Sequence, residues 1–287
     1  MEKKLAFLGP HGTFTEQAAR SFASEQPFSL VPYPNIIEIL NAVNREEVDY
    51  GVVPMENSIE GTVNMTMDWL IHEVDLPILG ELALPITQNL LVAKRDEPLP
   101  LSAITRVLSH PQAIAQSHNF LRENLPQATI EYVNSTALAA QMVSEHPEEP
   151  WAAVGTGLNV ELYPLEFARE QIQDFSNNYT RFVLVGREPL DMPASDREKT
   201  TILVNLPEDF PGALYQVLAA FAWRKINLSR IESRPTKKAL GNYYFVIDIE
   251  QKMDDVLLPG AFAEIEALGC QVRQLGTYPF YLPKTNS

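Results

Sequence analysis

The chain has 287 residues, enough for two domains, and its 45% hydrophobic and 21% charged content is typical of a globular protein. Its only cysteine, Cys270, excludes an internal disulfide or a multi-cysteine zinc site, and without a signal-peptide or bilayer-length apolar segment we expect a reduced cytoplasmic location and no membrane partner. The formal net charge of −15 argues against a nucleic-acid partner, which requires a basic surface.

The acidic excess is concentrated in the first part of the chain. Residues 1–190 carry 25 acidic and 11 basic side chains, whereas residues 191–287 carry 12 and 11. A site for an anion in the first part must therefore be built locally, against the overall field.

Short apolar runs alternate with helical patterns in the first part. Five of these runs are typical of buried strands: Leu5–Leu8, Tyr50–Val53, Arg106–Leu108, Ile130–Val133 and Trp151–Val154. Because helical patterns lie between them, the sequence predicts an α/β fold with a largely parallel sheet.

A polar segment with two prolines, 187–199, separates this part from a different pattern. Strands are predicted at 200–206, 227–233, 242–250 and from Cys270, with helices at 211–224 and about 255–268. The order βαββαβ predicts a small ferredoxin-like domain.

Small polar residues follow four of the first five strands, at predicted helix starts. Thr13 with Glu16 matches a capping box, and similar positions are held by Asn57, Ser109 and Ser135. Helix starts carry free N–H groups and partial positive charge, so together they can bind a doubly negative small molecule. Each one alone is more often an ordinary helix cap.

Thr180 and Arg181 lie between two aromatic residues, just before the apolar run 183–185. A guanidinium binds a carboxylate through its fixed fork of donors, and a hydroxyl can donate to an oxygen that gains negative charge as its bond breaks. The pair suits an anionic substrate from which an oxygen leaves, although such a strand edge is more often structural. The dispersed histidines predict no metal site, and the loop 9–12 lacks both the dinucleotide and the phosphate-loop patterns.

Four motifs in this order resemble those of the prephenate dehydratase family: Gly9–Glu16, Glu56–Asn64, Ser109–Gln116 and Thr180–Phe182. The resemblance covers nearly the whole chain and is to the monofunctional form with a C-terminal ACT regulatory domain. It implies an α/β fold with a two-lobed, periplasmic-binding-protein-like (type II) catalytic domain over 1–186. Lobe one is expected at about 1–77 plus 180–186, lobe two at about 78–179, the linker at 187–199 and the ferredoxin-like ACT domain at 200–280.

The resemblance implies conversion of prephenate to phenylpyruvate, water and carbon dioxide in L-phenylalanine biosynthesis. Aromatisation drives this reaction, so we expect no cofactor or metal. We expect Thr180 to donate a hydrogen bond to the leaving hydroxyl and Arg181 to hold a substrate carboxylate. Further residues are expected to orient the substrate (Asn57, Ser109, Gln116) or bind it (Thr13, Glu56, Ser58, Thr62, Phe182).

Two segments of the last domain, Gly212–Tyr215 and Glu232–Pro235, resemble the phenylalanine-binding motifs of ACT domains in this family. The resemblance implies allosteric inhibition by L-phenylalanine bound between ACT domains of a homodimer or homotetramer. The expected effector-binding residues are Gly212, Ala213, Leu214, Asn227, Leu228, Glu232 and Ser233.

Two alternatives stay open at this point. The same chemistry on arogenate fits the sequence equally, since that substrate differs only in an amino group in place of the keto group. A non-catalytic amino-acid sensor would also explain the helix starts and the ACT domain, but gives no reason for Thr180 beside Arg181.

Overall fold

The computed structural model describes residues 2–24, 27–207, 211–236 and 243–282. Within these ranges the chain forms two α/β lobes, each built on its own sheet, and a third unit with two helices on an antiparallel sheet. This is the two-lobed, periplasmic-binding-protein-like architecture with a ferredoxin-like unit. None of the helices in these ranges is long and apolar enough to span a bilayer.

The first lobe has a five-stranded sheet with helices on both faces. In spatial order its strands are β2 (Phe28–Tyr33), β1 (Lys3–Leu8), β3 (Tyr50–Asn57), β11 (Tyr179–Gly186) and β5 (Ile78–Pro85), and a short strand β4 (Gly61–Thr62) pairs with the end of β3. The helices are α1 (Phe14–Phe22), α2 (Ile36–Asn44) and α3 (Asn64–His72). Of the five main strands, β11 is the one that runs antiparallel to its neighbours, β3 and β5; the short β4 is also antiparallel to β3.

The second lobe repeats this strand order. Its sheet runs β8 (Thr129–Tyr132), β7 (Arg106–Ser109), β9 (Trp151–Gly155), β6 (Asn89–Ala93) and β10 (Leu165–Arg169), and here β6 is the antiparallel strand. The helices are α4 (Pro111–Ala115), α5 (His118–Asn124), α6 (Thr136–Glu145) and α7 (Leu158–Leu162). In each lobe the strand that crosses from the other lobe is the reversed one.

All five strands predicted in the first part are present, and four of the five strands of each sheet run in the same direction, in agreement with the largely parallel prediction. β6 and β11 are reversed because they enter their lobes from the opposite direction. One expectation about the lobes is wrong. Residues 78–85, expected in lobe two, form β5 and pair with β11 in the first sheet. The chain therefore leaves the first sheet only after residue 85.

The third unit has the predicted βαββαβ order: β12 (Glu198–Asn205), α8 (Ala213–Ala222), β13 (Leu228–Pro235), β14 (Tyr243–Ile249), α9 (Leu257–Ala267) and β15 (Gln271–Tyr281). Asn242, predicted to begin the third strand, lies outside the described residues. The end of β15 pairs with β5, so this sheet continues into that of the first lobe.

Both faces of the third sheet are covered. Ile202 and Ile247 pack under α8 and α9, whereas Leu203, Val246 and Tyr278 join the core of the first lobe. The alternating pattern of β14 predicts polar residues on this second face, and that face is instead an interface between the two units. Asp248 is buried there, 1% exposed.

Candidate active site

A cavity of about 550 Å³ lies between the two lobes, at the carboxyl ends of β1, β3, β7 and β8. Six residues predicted to act on the substrate line it together: Thr13, Asn57, Thr62, Gln116, Thr180 and Phe182. Among the lining residues that the structure describes, none is lysine or arginine. The cavity is polar but has no permanent cation in its wall.

Strand geometry sends Thr180 and Arg181 to opposite sides of β11, because successive side chains of a strand alternate. Thr180 and Phe182 face the cavity. Val183 and Val185, on the other face with Arg181, pack into the core beneath α2 and α3. The two neighbouring residues therefore have different surroundings and different roles.

Asn57 orients the hydroxyl of Thr180. Its Oδ1 accepts from the backbone N–H groups of Ile59 (2.9 Å) and Glu60 (3.1 Å), which fixes the direction of the amide. Its Nδ2 then donates to Thr180 Oγ1 and to Asn178 Oδ1, both at 2.9 Å. Since the Thr180 oxygen already accepts from Asn57, its own proton is free to be donated into the cavity.

Helix starts from both lobes face the cavity. Thr13 accepts from the N–H of Glu16 at the start of α1 (3.2 Å), and Ser135 accepts from the N–H of Leu138 at the start of α6 (3.0 Å). Residues of both starts, Thr13 and Ser135 included, line the cavity. They supply partial positive charge where the cavity wall has no cation.

Ser109 has a different position from the one expected. It is fully buried, and its Oγ donates to the carbonyl of Val154 (2.6 Å), linking β7 to β9. His110 is the N-cap of α4 instead, because its Nδ1 accepts from the N–H of Gln112 (3.2 Å). His110 and Gln112 line the cavity and Ser109 does not. Ser109 therefore stabilises the second sheet rather than orienting the substrate.

Ser58 also lies outside the cavity lining. Its Oγ accepts from the N–H of Tyr179 (2.9 Å) and donates to the carbonyl of Asn177 (3.0 Å). These bonds hold the segment that leads into β11. Ser58 thus positions the backbone next to Thr180 without reaching the cavity.

Arg181 does not reach the cavity, and the expectation that it holds a substrate carboxylate is not met. Its guanidinium donates to Glu81 through Nε (2.8 Å) and Nη2 (2.7 Å), to Glu56 (2.7 Å) and to Asp248 (2.7 Å). Glu56, a predicted substrate-binding residue, is likewise an ion-pair partner and not a lining residue. Four of the five N–H donors of this guanidinium are used for protein carboxylates.

Lys199 and Arg230 complete this group of charges: Lys199 donates to Glu81 (2.8 Å) and Arg230 lies 3.8 Å from Asp248. We call the six residues Arg181, Lys199, Arg230, Glu56, Glu81 and Asp248 the Arg181 cluster. Burial alone would lower the pKa of Arg181, but the charges of Glu81 and Asp248 raise it above its ordinary value. Burial would likewise raise the pKa of Asp248, and the charges of Arg181 and Arg230 lower it instead.

Gln88 is a lining residue that the sequence did not reveal. It is 3% exposed, its Nε2 donates to Gln116 Oε1 (3.1 Å), and its Oε1 has no hydrogen-bond partner within the described ranges. It lies where the chain passes from β5 to β6. The only signal is a polar triplet, 87–89, between two apolar runs, and that pattern resembles an ordinary loop.

The two lobes contact each other at Gly12. Its carbonyl accepts from Thr156 Oγ1 (3.0 Å) and Asn159 Nδ2 (3.2 Å), both in the second lobe. A Cβ at Gly12 would lie 2.1 Å from Asn159 Oδ1, and the φ of +89° also favours glycine. The Gly9–Glu16 motif therefore serves this contact as well as the start of α1.

The expected effector residues lie at the two ends of α8 and along β13. Gly212 begins the helix with φ +95°, followed by buried Ala213 and half-buried Leu214, while Asn227 is exposed beyond the other end. The remaining three are in β13: Leu228 and Glu232 are half-buried, and Ser233 is exposed. Glu232 reaches the first lobe, where it accepts from the hydroxyl of Thr62 (2.7 Å).

The interlobe cavity has an oriented hydroxyl and is lined by helix starts, and the ferredoxin-like unit continues the sheet of the first lobe. These features are typical of an enzyme that acts on a small anionic substrate and carries a regulatory domain. The comparisons agree. The model of the family "Prephenate dehydratase" matches residues 5–190, and that of the ACT domain matches residues 200–258. A prephenate dehydratase from Bacillus subtilis (strain 168) is 46% identical over 284 residues, covering 97% of this chain and 99% of that protein.

The chain belongs to the prephenate dehydratase family, a family of hydro-lyase enzymes, and carries an ACT domain. Among solved structures, the prephenate dehydratase from Arthrobacter aurescens in complex with L-Phe has a TM-score of 0.83 at 37% identity, covering 96% of this chain and 89% of that one. A structure of GqqA, described as a novel type of quorum quenching acylase, also has a TM-score of 0.83, at 28% identity, covering 97% and 98%.

Proposed function

We propose that this chain converts prephenate to phenylpyruvate, water and carbon dioxide. The observation that carries the proposal is the Thr180 hydroxyl, which lines the interlobe cavity and accepts from Asn57, so that its own proton is available for donation. The ring carboxylate of prephenate leaves as carbon dioxide and its electron pair enters the ring, while the ring hydroxyl leaves on the opposite carbon. Thr180 donates to that oxygen as negative charge develops on it.

The helix starts of α1 and α6 would hold the substrate's carboxylates. Such a binding mode leaves the ring carboxylate without a fixed cation, which would otherwise stabilise it and oppose its loss. Gln116 would orient the ring within the cavity, Asn57 would act on it through the Thr180 hydroxyl, and Thr13, Thr62 and Phe182 would contact it. Contact between the lobes at Gly12 would exclude water from the reacting groups.

The hydrogen bonding of Thr180 differs from that of an acylase nucleophile. Its neighbour Asn57 is an amide donor, which cannot accept the proton that an attacking hydroxyl must lose. The geometry therefore favours donation from Thr180 over attack by it, and supports the dehydratase over the acylase chemistry named for GqqA.

Regulation by L-phenylalanine is the second part of the proposal, supported by the ACT domain and by the L-Phe complex of the Arthrobacter relative. The residues of the site lie at both ends of α8, about 15 Å apart for a helix of this length. One phenylalanine cannot touch both ends within one subunit. The start of α8 from one subunit would face Asn227 and Leu228 of another, which makes a homodimer the smallest competent assembly.

The test is phenylpyruvate formation from prephenate by the purified protein, with and without L-phenylalanine, and with arogenate as the parallel substrate. Turnover of prephenate that L-phenylalanine suppresses is the expected result. Turnover of arogenate alone would show that arogenate, not prephenate, is the substrate. If the folded protein converted neither compound, the proposed dehydratase function would be wrong. For the effector pocket, Leu214→Ala is preferable to a substitution of Gly212, whose positive φ would add backbone strain.

A further inference from the structure

We propose that Arg181 is a positioning residue that couples the ACT domain to Thr180. This inference rests on the proposed function and extends it, because it assigns the physical route between the effector domain and the catalytic hydroxyl. The route is the Arg181 cluster together with the small hairpin formed by β3 and β4.

The first observation is that one guanidinium joins three strands from two domains. Arg181 lies on β11 beside Thr180 and donates to Glu56 on β3, Glu81 on β5 and Asp248 on β14 of the ACT domain. Only a planar fork with several donors can serve three carboxylates at 2.7–2.8 Å at once. A movement of β14 is therefore transmitted to β11 at the residue next to Thr180.

The second observation is that the centre of the cluster is buried, whereas the Glu56 side chain at its edge is 32% exposed. Glu81 is fully buried and Asp248 is 1% exposed, and three cations face three carboxylates across the two domains. A buried ion cluster is weak as a source of stability, because an apolar interface of the same size often does as well. The cluster instead favours one relative position of the ACT domain and the first lobe, because any displacement would separate buried charges from their partners.

The third observation is that the ACT domain contacts the other side of the same hairpin. Glu56 pairs with Thr62 across β3 and β4, and the hydroxyl of Thr62 donates to Glu232 on β13. Arg230 contacts both Glu232 and Asp248, so it links the two ACT contacts. The hairpin between them contains Asn57, the residue that orients Thr180.

Glu232 belongs to the motif expected to bind phenylalanine. An effector that displaces Glu232 or β13 would shift the hairpin and the Arg181 cluster together. The Asn57–Thr180 hydrogen bond would then lose its geometry, while Thr13, Gln116 and the helix starts of α1 and α6, which lie outside the hairpin, keep their positions around the substrate. Inhibition by this route lowers turnover more than it weakens substrate binding.

The test uses Asp248→Asn and Arg181→Lys in the full-length protein, with kcat, KM, the L-phenylalanine concentration for half inhibition and the melting temperature measured for each. Asp248→Asn removes one charge from a residue that does not line the cavity, and Arg181→Lys keeps the charge but loses the fork. The matched control is Glu264→Gln, which breaks a 2.6 Å ion pair with Arg224 between α8 and α9.

We expect both cluster variants to lower kcat about tenfold, to change KM by less than about threefold, and to raise the half-inhibiting L-phenylalanine concentration about tenfold. Glu264→Gln should lower the melting temperature only. If Asp248→Asn fails to fold, Arg181→Lys decides alone, because its charges still balance.

Two results would overturn the inference. One is wild-type kcat and wild-type inhibition in a folded Arg181→Lys or Asp248→Asn protein. The other is a raised KM with unchanged kcat in Arg181→Lys, which would indicate that Arg181 binds the substrate directly. If the wild type itself converts neither prephenate nor arogenate, the proposed function is wrong and this inference with it, whereas active wild type with normal variants refutes the inference alone.

Discussion

The two faces of β11 have opposite electrostatic surroundings. On the cavity face, Thr180 lies among polar groups and helix starts, and the described lining has no lysine or arginine. On the other face, Arg181 lies in a buried cluster of three cations and three carboxylates. The permanent charges of the Arg181 cluster thus pair with one another, and the described cavity lining contains helix starts and the carboxylate Glu60 but no lysine or arginine.

This contrast shows that neighbouring residues of one motif, Thr180 and Arg181, can have separate roles on opposite faces of a strand. A permanent cation beside the reacting group would hold a carboxylate that has to leave, whereas backbone dipoles bind an anion less strongly and in a fixed direction. The cation is more useful behind the strand, where it fixes the position of the donor. Substitutions on the cavity side and in the Arg181 cluster can therefore be made and measured separately.

The largest expected effect is on the cavity face. Thr180→Val keeps the shape of the side chain and removes the donor, so kcat should fall about 100-fold or more, the scale of losing one transition-state donor. The melting temperature should change little, because the Arg181 cluster is untouched. Thr105→Val, at an exposed threonine of the second lobe, is the matched control for the same exchange. Near-normal turnover in Thr180→Val would refute the role of Thr180.

Asn57→Asp should lower kcat about 10- to 100-fold. The aspartate keeps the oxygen that accepts from Ile59 and Glu60, but its second oxygen would accept the Thr180 proton and turn it away from the cavity. Because both residues act through one hydroxyl, the double variant Asn57→Asp/Thr180→Val should be no slower than Thr180→Val. Additive losses would show that Asn57 acts in another way.

Thr136→Asp tests whether helix starts bind the substrate. An acidic residue in the first turn of α6 stabilises the helix, but its charge on the cavity wall repels an anion. We therefore expect KM to rise about tenfold with unchanged or higher stability. Thr136→Asn, which adds similar volume without charge, should leave KM close to that of the wild type. An unchanged KM in Thr136→Asp would place the carboxylates elsewhere.

The smallest effect concerns the pH dependence of stability on the other face. Burial raises the pKa of Asp248, but the charges of Arg181 and Arg230 and the hydrogen bond from Thr201 lower it below its ordinary value. A lowered carboxyl pKa stabilises the folded state above the unfolded pKa, and this contribution is lost as the pH falls through the folded pKa. The stability difference between wild type and Asp248→Asn should therefore be constant above about pH 5 and shrink below about pH 4. A difference that varies between pH 6 and 8 would contradict the assignment.

The sequence predicts the strands and the cavity residues of the first lobe well, because apolar runs and helix-start residues are local signals. Helix-start positions after strands indicate Thr13 and Asn57, the hydroxyl beside Arg181 indicates Thr180, and all three line the cavity. The motif alone does not show that Arg181 lies on the other face, although the alternation of a strand separates it from Thr180. The burial of Asp248 depends on docking of the ACT sheet onto the first lobe, a contact between distant segments that no local pattern encodes.

The most direct measurement is a crystal structure of the full-length protein with a non-reactive dicarboxylate analogue of prephenate. We expect the analogue's carboxylates to accept from backbone N–H groups at the starts of α1 and α6, with its hydroxyl oxygen next to Thr180 Oγ1. Arg181 should remain bound to Glu56, Glu81 and Asp248. An Arg181 that leaves these partners to bind a carboxylate of the analogue would contradict the division of roles between the two faces of β11.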